Sequence, residues 1–260
     1  MAEYQLYCFA QSGNAYRAAL MLNLIGADWQ PVFVDFFKAG VQRTAEYRSD
    51  VNEMGEVPVL IHGTKKLSQS GVILLYLAER SGKFLTHGDD ERLEALCWIL
   101  FDNQKVGGYF GPYRFLHFIT KPRGDQAVLE FLKGRINNSL GILDKRLSSR
   151  PYLLGTEPTI ADVSLISYLY YPPEEFGFDI AAEYQNIAAW LGRINDCPQA
   201  RHRTPSLTRM APSPATSSRN SATFSACRSR SLPPSTALSP ALPSASSCSA
   251  TSATWLRTRN

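Results

Sequence analysis

No stretch of the 260 residues approaches the roughly 20 consecutive apolar residues needed to cross a bilayer. The opening Met1-Ala2-Glu3-Tyr4 lacks the basic region and apolar run of a secretory leader, so no export signal is expected. Cysteine is sparse. Cys8, Cys97, Cys197, Cys227 and Cys248 are odd in number and far apart, forming neither a disulfide framework nor a CxxC pair, and a reducing cytoplasm is the expected location. Histidine is sparser still: His62, His87, His117 and His202 are isolated, with no HExxH and no Cys/His cluster, so no metal site is expected. Gly107-Gly108 lacks the surroundings of a phosphate-binding loop. What is present, 44% hydrophobic, 11% aromatic and 19% charged residues, is the composition of a globular protein of one or two domains.

Acidic residues and lysine are absent from one region only. From Arg201 onward there are 8 Arg and no Lys, Asp or Glu, so the first 200 residues hold 19 basic against 23 acidic residues. The net charge of +4 therefore comes from the tail, and the mildly acidic remainder excludes nucleic acid as the expected partner. Residues 201–260 hold 15 Ser, 8 Thr, 9 Ala and 7 Pro with apolar residues scattered without period, too little to offset chain entropy, and disorder is expected. Two readings remain for this segment: a genuine Ser/Pro/Arg-rich extension, or translation of a wrong reading frame. The abrupt loss of acidic residues and lysine after a well-patterned helix favours the second.

Residues 1–84 alternate strands and helices. Tyr4–Phe9 alternates as a strand; Asn14 to Ile25 carries Ala15, Ala18, Ala19, Leu22 and Ile25 at helical spacing and is stopped by Gly26. Trp29–Asp35 reads as a strand parallel to the first, Val57–Ile61 as a third with Pro58 near its start, and Lys66–Ser68 as a short fourth. Gln69–Arg80 is a strongly apolar helix stopped by Gly82. The order βαβ then ββα is that of a thioredoxin-like domain. After a short polar linker at 85–90, strands vanish. Glu91–Phe118, Asp125–Leu147, Ile160–Tyr171 and Tyr184–Asp196 read as helices of an all-helical second domain over 91–200, with no internal repeat.

Three places carry candidate chemistry. The turn Gln11-Ser12-Gly13-Asn14 puts hydroxyl, amide and N–H groups at a helix N-terminus, which favours an anion; simple capping by Ser12 or Asn14 is the competing reading. Val57-Pro58 opens the third strand. Gln69-Ser70 opens another helix, where N–H groups and a hydroxyl suit a carboxylate, or where Ser70 is only a cap. Thr159-Ile160-Ala161-Asp162 is a capping box, with Thr159 as N-cap and Asp162 three residues on, and its role is folding rather than catalysis.

Taken together, Ser12 five residues before Arg17, Val57-Pro58, Gln69-Ser70 and the Thr159–Asp162 box resemble the cytosolic glutathione S-transferase family over residues 4 to about 198. The resemblance implies a thioredoxin-like N-terminal domain plus an all-α C-terminal domain, with glutathione as co-substrate. It implies a cis bond at Pro58 that presents the Val57 backbone to a cysteine-like thiol, and a likeness of Ser12 to the catalytic hydroxyl of serine-type classes. Asn14 resembles the asparagine of the bacterial nu class. Cys8 lies within the first strand and reads as core. Glutathione contacts are implied for Val57, Pro58, Gln69 and Ser70. Where many relatives use Lys or Gln for the glycine carboxylate, this chain has Glu56, so a backbone group or Lys38 must take that role. Tyr109, Phe110 and Tyr113 either line an apolar electrophile pocket between the domains or belong to the helix-packing core. The implied activity is glutathione transfer to a hydrophobic electrophile by a homodimer. The alternatives are a nu-type glutathione-dependent disulfide or peroxide reductase, and a non-catalytic binding protein of the same fold. No membrane or nucleic-acid partner is expected.

Overall fold

Alternation along Tyr4–Cys8 makes β1, with Tyr4, Leu6 and Cys8 buried between the flanking layers. β2 (Trp29–Phe33) runs parallel to it, and β3 (Val59–His62) and β4 (Lys65–Ser68) complete a four-stranded mixed sheet in the order β2-β1-β3-β4. The helix joining the parallel pair, α1 (Gly13–Ile25), ends at Gly26, whose φ of 80° is the left-handed cap conformation that glycine reaches without a Cβ clash. α2 (Ala45–Asp50) follows β2, and α3 (Ser70–Ser81) follows β4. The structure, a computed structural model, describes residues 2–196. The expected tail over 201–260, its disorder and its reading-frame origin lie outside the described residues.

The helical domain is α4 (Asp89–Phe101), α5 (Gly107–Arg114), α6 (Gln126–Leu147), α7 (Ile160–Leu165), α8 (Ile180–Glu183) and α9 (Gln185–Asp196). Its core is Leu129, Leu132, Ile136, Leu140, Leu143 and Leu147 on one face of α6, packed with Ile187, Trp190 and Ile194 of α9. The architecture is thus a thioredoxin-like N-terminal domain joined to a helical one.

Several elements differ from expectation. The single helix expected over Glu91–Phe118 begins two residues earlier, inside the expected linker, and is interrupted by π turns at Asp102–Val106 and Phe115–Ile119. Such turns widen the helix; the first runs directly into Gly107-Gly108 and the second follows Pro112 by three residues. Ile160–Tyr171 is α helix only to Leu165 and then tightens to a 3₁₀ turn at Ser167–Tyr170. α2 adds to the elements read from the sequence; it starts where the Thr44 hydroxyl accepts the Tyr47 N–H at 3.2 Å. β3 starts at Val59, one residue after Pro58, which has no N–H to give the ladder.

α1 explains why the two domains must stay together. Ala15 through Leu24 are all buried, because the helix packs on α3 at one side and on α5, α7 and the 3₁₀ turn at Ser167 on the other. A helix apolar on every side has to be covered on every side. Its one charge, Arg17, is fully buried and paired with the fully buried Asp102; it also donates to Ser167 Oγ at 2.8 Å and Ser164 Oγ at 3.2 Å.

The capping box forms: Thr159 N–H donates to Asp162 Oδ2 at 2.9 Å while Thr159 Oγ1 accepts the Ala161 N–H at 3.3 Å. Asp162 does more than cap. Its Oδ1 accepts from Leu153 N–H at 3.0 Å and Trp190 Nε1–H at 2.9 Å, tying a loop and α9 to α7. Replacing it with alanine leaves three buried N–H donors without an acceptor, at about 1–3 kcal/mol each, and also removes the acceptor of the Thr159 hydroxyl. The expected outcome in urea denaturation monitored by circular dichroism is a loss of at least about 3 kcal/mol for Asp162→Ala, against about 1 kcal/mol for Thr159→Ala. Equal midpoints for the two variants would contradict this account.

Candidate functional site

Sheet register gathers the three candidate segments. β1 pairs antiparallel with β3 so that Tyr7 faces Val59, and β3 with β4 so that Val59 faces Ser68. The chain leaving β1 toward Ser12, the Val57-Pro58 approach to β3 and the Gln69-Ser70 exit from β4 therefore share one edge of the sheet. β2 adds the loop carrying Lys38 to that edge, because Cys8 faces Phe33 in the parallel pair.

Ser12 is the N-cap of α1: its Oγ accepts the Ala15 N–H at 3.1 Å. An accepted hydrogen bond leaves the hydroxyl proton free for donation, so capping and thiol activation are compatible here. No acidic residue stands in the first turn of α1, which leaves the positive end of the helix dipole uncompensated. Asn14 sits in that first turn, half-buried like Ser12.

The Val57-Pro58 bond is cis. The approach to it is braced from below: the Glu56 carbonyl accepts the Tyr47 hydroxyl at 2.9 Å and Asn52 Nδ2 at 3.3 Å. α2 thus has a purpose, since it supplies Tyr47. Gln69 has φ +64°, a conformation rare for a residue with a Cβ and one that persists where surroundings enforce it. No side chain caps α3, and Ser70 is its first helical residue, buried, rather than its cap. The first-turn N–H groups of α3 are therefore open to an anion. Gln69 Nε2 donates to Glu56 Oε2 at 2.7 Å, so the two residues form one wall. Lys38 is exposed on the neighbouring loop, its backbone N–H donating to Asp35 Oδ1 at 3.0 Å.

A cavity of about 430 Å³ opens beside this edge, lined by Ala10, Gln11, Phe37, Arg114, Phe118, Ile119, Tyr171 and Glu175. Of the two readings of Tyr109, Phe110 and Tyr113, pocket lining or helix-packing core, their packing fits the second, and none of them lines this cavity. Phe110 is fully buried, edge-on to Phe176 at 5.1 Å between centroids. Tyr113 is buried with its hydroxyl donating to the Phe176 carbonyl at 2.9 Å, and Tyr109 packs against the same core. The π turn after Arg114 includes Phe118 and Ile119, which line the cavity instead. Sequence periodicity carries no sign of that turn. The one available signal is Arg114 itself, the lone cation in the run Tyr109–Phe115.

Among the described residues no group of His, Cys, Asp and Glu is placed to hold a metal ion, and no helix is long and apolar enough to cross a membrane. Cys8 is fully buried, and burial pushes its thiol up to about 12.

Comparison with known proteins places the chain. Residues 2–79 match the glutathione S-transferase N-terminal domain model, and residues 126–193 the C-terminal domain model. The chain belongs to the glutathione S-transferase family. It is similar to the disulfide-bond oxidoreductase YfcG of Escherichia coli, at 30% identity over 73% of this chain and 89% of that one. It is also similar to the crystal structure of a glutathione S-transferase from Pseudomonas fluorescens, at 31% identity, TM-score 0.70, covering 76% of this chain and 97% of that one. A glutathione transferase from Burkholderia graminis, solved with two glutathione molecules bound per subunit, is 26% identical with TM-score 0.67, covering 79% and 88%.

Burial separates the two cysteines of the described region chemically. At neutral pH a thiol raised to about 12 is essentially all protonated and shielded, whereas Cys97 is exposed on α4. Alkylation with iodoacetamide, mapped by peptide mass spectrometry, is expected to spare Cys8 in the native protein and to modify it after denaturation; modification of Cys8 at the same rate in both states would contradict its placement.

Proposed function

We propose that this chain is a glutathione transferase in which Ser12 donates a hydrogen bond to the glutathione sulfur. The observation that carries the reading is the shared sheet edge: an N-capping hydroxyl at an uncompensated helix N-terminus, a cis Val57-Pro58 backbone, and an uncapped helix beginning at Ser70. Val57 would take the peptide portion of glutathione through its backbone, and the start of α3 would take a carboxylate. Asn14 stands in reach of the same helix end as a second donor. A free thiol with pKa about 8.5 is about 3% thiolate at pH 7; bringing it down by about two units makes it about three-quarters thiolate and requires about 2.7 kcal/mol. A charge-assisted hydrogen bond plus a helix terminus supply energy on that scale. The cavity beside Gln11, walled by Phe37, Phe118 and Ile119, then receives the hydrophobic electrophile.

Glu56 does not favour a carboxylate next to it, and its engagement by Gln69 at 2.7 Å satisfies one of its oxygens without removing its charge. The glycine end of glutathione is thus assigned to backbone groups or to Lys38. A second reading, disulfide reduction, is favoured by the resemblance to the E. coli oxidoreductase and by the relative that holds two glutathione molecules. We further propose a homodimer through the first domain. Gly71 of α3 lies against Ile99 of α4, so the exposed Val72 and Leu100 flank one seam, with exposed Leu93 further along α4.

Ser12→Ala is expected to lower glutathione conjugation to chlorodinitrobenzene at pH 7 by at least about tenfold, since thiolate population tracks its pKa. Activity and thiol titration unchanged in this variant would reduce Ser12 to a cap. Parallel turnover of hydroxyethyl disulfide separates transfer from reduction, and glutathione-resin retention without either activity would indicate a binding protein. Light scattering at micromolar concentration is expected to report twice the chain mass.

A further inference from the structure

The loop that delivers Ser12 is held from the helical domain. Arg114 Nη1 donates to the Gln11 carbonyl at 2.7 Å, one residue before Ser12. The Tyr171 hydroxyl donates to the Ala10 carbonyl at 3.3 Å. Arg114 is itself immobilised: Nε pairs with Glu175, and its guanidinium lies 3.7 Å over the Tyr171 ring. Two guanidinium nitrogens, Nε and Nη1, thus hold fixed partners on opposite sides while the plane stacks on a ring, which a flexible ammonium does not reproduce. All three side chains line the cavity.

We propose that Arg114, braced by Glu175 and Tyr171, is a positioning residue that sets the place of the Ser12 hydroxyl from the wall of the second-substrate cavity. This rests on the reading of Ser12 as the thiol donor. A hydrogen bond to a thiolate weakens steeply with misalignment, so a loop shift of a few tenths of an ångström changes how far the sulfur is stabilised. The other ionisable groups around this loop are Tyr168, whose ring packs against Gly13 and lies 6.1 Å from the Tyr171 ring, Tyr16, and behind them the Arg17–Asp102 pair; Arg114→Lys keeps the positive charge they face. Burial raises the Tyr171 phenol well above its usual range, so it remains a donor throughout neutral pH.

The test compares Arg114→Lys, Tyr171→Phe, Ser12→Ala and the double variant Ser12→Ala/Arg114→Lys in the full chain. The readouts are thiolate absorbance of bound glutathione against pH and the split of kcat from KM. Arg114→Lys keeps the charge but loses the fork. It is expected to raise the bound-thiol pKa by about one unit, with kcat at pH 7 down about threefold and the KM for glutathione little changed. Tyr171→Phe is expected to move the titration the same way by a smaller amount, and decides the matter should Arg114→Lys not fold. In the Ser12→Ala background Arg114→Lys should add no further shift, because it acts through the hydroxyl already removed. A titration moved by Ser12→Ala but by neither Arg114→Lys nor Tyr171→Phe overturns the positioning role and leaves the Ser12 reading standing. A titration unmoved by Ser12→Ala overturns the Ser12 reading itself.

Discussion

A guanidinium with no exposed surface sits in the middle of α1, and the rest of the molecule is arranged around neutralising it. Arg17 cannot shed its proton, so its charge must be met where it lies. Asp102 meets it from the first π turn, Ser167 and Ser164 from the 3₁₀ turn and α7. Of the guanidinium nitrogens, only Nε is left without a hydrogen bond. Removing one member of such a set strands a buried charge, at about 3–5 kcal/mol, so the domains are held in one register rather than pressed together by apolar area alone. The same residue lies five positions after Ser12. Whatever orients Arg17 also orients the helix whose N-terminus carries the candidate chemistry.

Local physics made much of this legible in the sequence. Tyr4–Cys8 alternates, Gly26 and Gly82 stop their helices, and Thr159 with Asp162 signals a helix start, because each depends on neighbours within a few residues. The three site segments were visible for the same reason, each being a turn or a helix start with its own residue chemistry. Long-range consequences were not visible. Nothing in Asp102–Val106 distinguishes a π turn from continuing helix; the turn begins at Asp102, which pairs with Arg17, 85 residues earlier in the chain. The first π turn precedes the stretch that carries Phe110 and Tyr113, and the second carries Phe118 and Ile119 and ends the helix at Thr120. Phe110 and Tyr113 fall to the core, and Phe118 and Ile119 to the cavity.

The division of labour between the domains has the same origin. The first domain brings the candidate groups to one end of the sheet by β pairing. The second domain supplies the cavity wall and two donors to the carbonyls ahead of Ser12, from residues 103 and 161 positions away in sequence. The polar lining of the cavity and the support of the Ser12 loop therefore reside in the same three side chains, Arg114, Tyr171 and Glu175. A change there made to suit a new electrophile also alters the support of the Ser12 loop. Changes at Phe37, Phe118 or Ile119 touch the cavity without touching that loop's carbonyls. Under the proposed reading of Ser12, selectivity would be free to vary on the apolar side of the cavity, while the polar side would stay tied to how the sulfur is activated.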